Sequence, residues 1–356
     1  MPPQQHRHED RLAFLSFLDL VNICDNVRPH VSSPSPSPFD SERLVPFHLS
    51  SSSQAPIVGL LRPIIVEKLK EENAQSRDSG LSELWDIQDA RISFRSWLDS
   101  PSKRTAAMKE LCERWRDTEL FPDVCGPKKW RAEMYPIYRD PFGTHDYPKD
   151  ATSDEGLNYA FEMERSACAL FGVVTYGVHM TIYQQNATGL YMWIPTRART
   201  KPTWPGYLDN TVAGGIPSGM SIFDSLVKEC MEEASIEEDL VRQYVRGTGA
   251  VSYFFRTSAG WLQPEVERYV YDLAIPANHP DPSVFEPKPL DGEVESFEFL
   301  HLDDLMPKLR AGLFKPNCAV VIIDLLLRLG RITPGNEPEY MKILTRLHGQ
   351  FDYERW

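Results

Sequence analysis

The 356-residue sequence has no apolar run approaching the about 18 residues of a membrane-spanning helix, so no such span is expected. It also has no surplus of basic charge. Its 38 Lys and Arg stand against 51 Asp and Glu, a net charge of −13, which argues against a broad surface for nucleic acid or anionic lipid. A phosphorylated ligand would have to find its cations locally. Cysteine is scarce: Cys24, Cys112, Cys125, Cys168, Cys230 and Cys318 are widely spaced, with no CxxC and no grouping with histidines. That excludes a zinc site of ordinary spacing and reads as free thiols in a reducing compartment. GxSxG is absent and no Ser-His-Asp arrangement is visible, so hydrolysis through a serine nucleophile is not expected. The start, MPPQQHRHEDRLAFLSFLDLV, carries acids through its apolar part. It fits neither a secretory signal nor an Arg-rich, acid-poor transit peptide, which predicts a cytoplasmic location.

What is present is an ordinary globular composition, 42% hydrophobic and 25% charged, long enough for two domains at about 150 residues each. Residues 11–24 read as a helix on Leu12, Leu15, Leu18, Leu20 and Val21. Residues 31–56, with repeated Ser-Pro and a serine run, read as a loop or disordered insertion. Helices are predicted at 57–72, interrupted by Pro63, and at 103–117, with a strand in ARISFRSWL between them and another near Tyr135–Tyr138. After a polar stretch near 140–156 the composition shifts to β-branched and aromatic residues. Strands are predicted at 172–183, 190–197, 248–256, 265–275 and 293–302. Helices are predicted at 222–234, 303–310 and 318–329, the last running from Asn317 as cap to Gly330 as stop. The interleaving implies a mixed α/β sandwich.

The chemistry concentrates in DNTVAGGIPSGMSIFDSLVKECMEEASI, residues 209–236. Its first half is glycine-rich, so backbone amides and carbonyls can approach a ligand closely. Its second half is an amphipathic helix that Ser221 can cap, with Asp224 three residues on. Ile222, Phe223, Leu226, Val227, Cys230, Met231 and Ala234 make the apolar stripe. On its flank Glu229, Glu232 and Glu233 span an arc of roughly 100°. Three carboxylates so close repel one another unless solvated or bound to a hard divalent cation. A glutamate face alone is ordinarily just solvated. The glycine segment at this distance before it is what makes it a candidate site.

Those residues resemble the Nudix box. Gly214, then Met220 after five residues, then Lys228-Glu229-Cys230-Met231-Glu232-Glu233-Ala234-Ser235-Ile236 after seven more reproduce its spacing. At Met220, Lys228 and Ser235 the family carries Glu, Arg and a second Gly. Lys228 can offset acidic charge but makes no bidentate contact, and Ser235 suggests a helix end with no need for positive φ. The resemblance extends over WIPTRARTKPTWPGYLDNTVAGGI (193–216), the strand at 293–302 and FKPNCAVVIIDLLLRLG (314–330). WRAEMYPIY (130–138) resembles the end of an auxiliary domain found in the Nudix part of fungal thiamin pyrophosphokinase fusions and in plant plastid relatives. It implies an α/β auxiliary domain over 1–160, a Nudix α/β/α sandwich with a mixed sheet over 165–330, and a helical extension over 331–356. It implies Mg2+, or Mn2+, held by Glu229, Glu232 and Glu233, with Glu232 as third ligand or base, helped by carbonyls near Ala213 and Gly214. Glu295 is placed where the family often has a base or extra ligand, with Glu293 and Glu298 competing. The substrate implied is a small-molecule diphosphate, thiamin diphosphate and its oxidised derivatives foremost. ADP-ribose, dinucleotides or coenzyme A remain alternatives, as does a non-catalytic binding module. Oligomeric state is left open.

Other candidates read less sharply. Arg197, Arg199 and Lys201 can meet the diphosphate or be ordinary charges at a strand end. Gly214 and Gly215 line the ligand approach. Trp204, Tyr253, Phe254 and Trp261 can stack on a substrate ring or simply pack. His179 and Cys230 read as structural.

Overall fold

The computed structural model describes residues 14–27, 38–39, 41–148 and 156–348; the Ser-Pro steps of 31–37 and the first residues of the expected helix at 11–24 lie outside them. The N-terminal part builds on a four-stranded sheet of order β2-β1-β4-β3, from β1 (Val45–His48), β2 (Ile57–Leu61), β3 (Trp85–Gln88) and β4 (Arg91–Phe94). β1 runs parallel to β4 and antiparallel to β2. It lies inside the stretch expected to be a loop. Leu44, Val45, Phe47 and Leu49 are buried there, and that short alternation outweighs the flanking serines. The expected helix at 57–72 splits likewise: residues 57–61 are the buried strand β2, and Pro63 starts a helix as its first residue. Helices α2 (Pro63–Asp78) and α3 (Pro101–Asp117) and the hairpin of β5 (Met134–Tyr138) with β6 (Tyr159–Glu164) share a core around Phe47, Trp85, Phe94, Trp115 and Phe171. Phe171 ends the one-turn helix α4 (Cys168–Phe171).

The second sheet has six strands: β7 (Thr175–Asn186), β8 (Gly189–Arg197), β9 (Val212–Gly215), β10 (Arg246–Arg256), β11 (Leu262–Ala274) and β12 (Val294–His301). Its order is β10-β11-β7-β8-β12. The long strand β7 is its axis, pairing in parallel with β11 and antiparallel with β8 through its C-terminal half and with β9 through its N-terminal half. One face is covered by α5 (Ile222–Ala234) and α6 (Glu238–Tyr244), the other by α7 (Leu302–Arg310), α8 (Pro316–Arg328) and α9 (Tyr340–Leu347). This is an α/β/α sandwich on a mixed sheet. α8 starts earlier than expected: Lys315 flanks it, Pro316 is its first residue, and Asn317 lies inside it, accepting from the Cys318 amide at 3.0 Å.

The first helix, α1 (Phe17–Cys24), departs from the expected division. It is capped by Ser16 and buries Phe17, Leu20, Val21 and Cys24 against α8 and α9, on the second sheet rather than the first. The six cysteines are buried and form no disulfide. No helix among the described residues is long and apolar enough to cross a membrane.

Candidate active site

Two neighbouring elements build the site. α5 is fixed at its start by Ser221, whose Oγ accepts from the Asp224 amide at 3.1 Å and donates to Asp224 Oδ2 at 2.6 Å. Leu226, Val227, Cys230 and Ala234 are buried under the sheet, and each large apolar side chain so buried contributes about 1.5–3 kcal/mol. That face fixes the rotation of the helix and turns Glu229 and Glu233 toward β9. The Ala213 amide donates to Glu233 Oε2 at 3.0 Å. A Cβ on Gly214 would lie 2.2 Å from Cγ and Cδ of Glu229, and one on Gly215 would lie 1.7 Å from the Tyr135 hydroxyl. Both glycines are there because other groups occupy the space a side chain would take. β9, too short and glycine-rich to announce itself, escapes a sequence reading.

Glu233 is buried, and burial pushes its carboxyl well above the usual range against the pull of the Ala213 amide, with Asp209, Glu229 and Glu293 adding repulsion. Glu229 is raised too, by burial first, with Lys228 opposing. Desolvated carboxylates that repel one another are what a hard divalent cation relieves, so the donor set fits Mg2+ or Mn2+. The third glutamate departs from expectation. Among the described residues no three His, Cys, Asp or Glu side chains converge to hold a metal ion. Glu232 is exposed and pairs with Lys228 at 2.7 Å, and Lys228 also reaches Glu229 at 3.2 Å. With an exposed methionine at 220, Lys228 spends its charge on the glutamates of its own helix.

The acid whose charge acts on Glu229 and Glu233 is Glu293, immediately before β12, rather than Glu295 on the strand. Burial works to raise the Glu293 carboxyl, but its ion pair with Lys201 and the charges of Arg197 and Arg165 bring it below the ordinary value. Glu295 is exposed and lies 3.6 Å from Arg199. Regular alternation would put these two acids, two residues apart, on one face; the irregular register between Val294 and Ser296 breaks that alternation.

The basic cluster is also redistributed. Arg197 is buried and donates to Asp209 Oδ2 at 2.5 Å, which removes it from solvent-side ligand binding. Lys201 is spent on Glu293, and Arg199 is largely exposed. Trp204 has a positive φ of 51° and packs edge-on against Tyr207. Tyr253, Phe254 and Trp261 are core residues, as is Cys230. His179 is buried with Nδ1 2.6 Å from Asn210 Oδ1.

The strand-and-helix arrangement can be set beside known proteins. No family model matches the chain. An uncharacterized protein of Saccharomyces cerevisiae is 29% identical over 363 residues, covering 97% of this chain and 94% of its own length. Nudix hydrolase 20, chloroplastic, of Arabidopsis thaliana is 32% identical over 295 residues, 83% of this chain and 71% of that protein. The chain belongs to the Nudix hydrolase family. Among solved structures, a binary complex of the C. elegans Ap4A hydrolase is similar at a TM-score of 0.32 and 14% identity, covering 44% of this chain and 99% of that one. The glutamates that resemble the family's lie on α5, and Glu229 is the one that crowds Gly214 on β9. Ser235 sits where the family has its second glycine. It adopts φ 54° and ψ 32°, the left-handed conformation that glycine accepts most easily, contrary to the expectation of an ordinary helix end. Its Oγ donates to the Lys288 carbonyl at 2.9 Å.

Proposed function

We propose that the chain is a Mg2+-dependent diphosphatase that hydrolyses a diphosphate linked to an organic group. The observation that carries the reading is the pair Glu229 and Glu233, one turn apart on α5, both pressed against the glycine strand β9. These two carboxylates, with backbone carbonyls near Ala213 and Gly214, would hold the cation, and Glu232 would join them on leaving Lys228. When bound, the cation supplies charge neutralisation at the phosphate oxygens and a more acidic water. Glu293, kept ionised by Lys201, accepts a hydrogen bond from the attacking water and takes its proton. Water oxygen bonds to phosphorus as the bridging P–O bond breaks, and the organic monophosphate and inorganic phosphate leave. The preferred substrate class is thiamin diphosphate and its oxidised derivatives. What supports it is the resemblance of the N-terminal region ending at residues 130–138 to the auxiliary domain found in the Nudix part of thiamin pyrophosphokinase fusions. That activity would remove damaged cofactor.

A second reading, a Nudix fold that binds without turnover, is favoured by Lys228 pairing with two of the three glutamates. Product mass analysis with Mg2+ separates them. Thiamin diphosphate, oxothiamin diphosphate, ADP-ribose and coenzyme A are offered to wild type and Glu233→Gln. The expected result is monophosphate from the thiamin compounds, reduced about 10²-fold or more in the variant. Turnover of the nucleotides alone would overturn the thiamin assignment. No turnover of any would favour the binding module.

A further inference from the structure

Among the described residues, a cation open to a ligand reaches this acidic site from outside the glycine and helix motif. Arg165 directly follows β6, in the hairpin that belongs to the N-terminal core. Its Nη1 donates to Glu133 Oε2 at 2.8 Å and its guanidinium lies over the Tyr135 ring, 5.1 Å from the centroid. This hairpin is laid along the glycine segment. The Ser218 amide donates to the Met134 carbonyl at 2.8 Å, and a Cβ on Gly215 would come within 3.5 Å of Arg165 Cζ. The charge of Arg165 also reaches Glu293, the acid next to the glutamates of α5. Yet its side chain is 43% exposed.

Of the other basic candidates, Arg197 is buried on Asp209, Lys201 is held by Glu293, Lys228 bridges Glu229 and Glu232, and Arg199 stands 80% exposed beside Glu295 rather than against the glutamates of α5. A diphosphate brought among Glu229, Glu233 and Glu293 meets repulsion on whichever side the metal does not neutralise. A guanidinium has five donors in a planar fork, and the bond to Glu133 uses one arm. The free edge suits a bidentate contact with phosphate oxygens, while Glu133 and Tyr135 lower the entropy cost of holding it.

We infer that Arg165 is a substrate-binding residue that takes the phosphate oxygens of the diphosphate, supplied to the site by the β5–β6 hairpin and oriented by Glu133 and Tyr135. This rests on the diphosphatase reading of the same site. It gives the N-terminal part a share in substrate binding, because the arginine and both groups that orient it lie in residues 133–165.

The test uses the full chain with Mg2+, and imidodiphosphate as a probe that is not turned over. Its Kd is measured by calorimetry for wild type, Arg165→Ala, Arg165→Lys and Glu133→Gln, beside kcat and KM on the substrate that wild type hydrolyses. Arg165→Ala should weaken imidodiphosphate binding about tenfold or more and raise KM in parallel, with kcat within about threefold. Arg165→Lys should recover part of the loss. Glu133→Gln, which removes the ion pair but leaves the guanidinium, should weaken binding by clearly less than Arg165→Ala does. Wild-type affinity in Arg165→Ala would overturn the inference. So would Glu133→Gln reproducing the whole loss, since the role would then be structural. Turnover retained in Glu233→Gln would overturn the metal-site reading instead, and the Kd would judge the arginine by itself.

Discussion

The amide of Ala213 donates to Glu233 Oε2 at 3.0 Å, tying the last turn of α5 to the glycine strand β9. The bond gives a buried carboxylate one fixed orientation. The next residue along the strand, Gly214, touches the Glu229 carboxylate one turn earlier. One four-residue strand therefore sets the spacing of the two acids proposed to hold the metal. Because β9 is anchored to β7 from Val212↔Met180 to Gly215↔Gly177, the acids inherit the rigidity of the central sheet.

Gly214→Ala tests that contact. The new methyl would fall 2.2 Å from Glu229 Cγ and Cδ, so the side chain or the helix must shift. Overpacking of this kind costs about 1–3 kcal/mol. The variant should fold, with a lowered melting midpoint, a raised Mg2+ requirement and activity down about tenfold or more. Unchanged metal dependence would show that Glu229 is not held by this glycine.

Ser235 sets three local terms against one another. Its left-handed conformation costs about 1–2 kcal/mol for a residue with a Cβ. A hydrogen bond such as that from its Oγ to the Lys288 carbonyl returns about 1 kcal/mol. Glycine would relieve the strain but lose the bond and about 0.5–1 kcal/mol of chain entropy. Ser235→Gly should therefore lie within about 1 kcal/mol of wild type. Ser235→Ala keeps the strain and loses the bond, and should be destabilised by about 1 kcal/mol in denaturant unfolding. Wild-type stability in Ser235→Ala would mean that the Lys288 contact contributes nothing.

The same residue shows where sequence reading ends. α5, α3 and most strands of the second sheet were legible because their periodicity is long and their caps local; Ile222–Ala234 follows directly from Ser221 and the apolar stripe. The family glutamates and Gly214 were legible for the same reason. The φ of Ser235 was not, because serine carries no mark of the left-handed region. β1 was hidden by surrounding serines, and β9 by its glycines. Arg197 read as a surface cation because its partner Asp209, twelve residues away, is brought to it only by tertiary folding. Arg165 carried no signal at all, since its place depends on how the β5–β6 hairpin meets the glycine segment.

Glu293 and Glu295 give a contrast two residues apart. Glu293 acts on Glu229 and Glu233 and is held by Lys201, whereas Glu295 is exposed near Arg199. Glu293→Gln should lower kcat about 10²-fold with a smaller change in KM, as expected for a group that handles the attacking water. Glu295→Gln should stay within about twofold. Steady-state kinetics on purified variants decides it, and equal losses in both would remove the distinction.

The buried pair of Arg197 with Asp209 contributes to acid stability. Burial alone would raise the Asp209 carboxyl, but the charges of Lys315 and Arg197 and a hydrogen bond from Cys318 overcome it and bring it down to about 2 from 3.8. A folded-state value below the unfolded one means stability that is complete above about pH 4 and is lost as pH falls through about 2. The shift is on the order of 2 kcal/mol. Asp209→Asn leaves the Arg197 guanidinium buried without its counter-charge, which costs about 3–5 kcal/mol near neutrality. The variant lacks the titrating group, so the gap between it and wild type should narrow by on the order of 2 kcal/mol between pH 5 and pH 2.5. Urea unfolding across that range reads the gap directly. A gap independent of pH would mean that Asp209 titrates alike folded and unfolded, and that Arg197 is held by something other than this carboxylate.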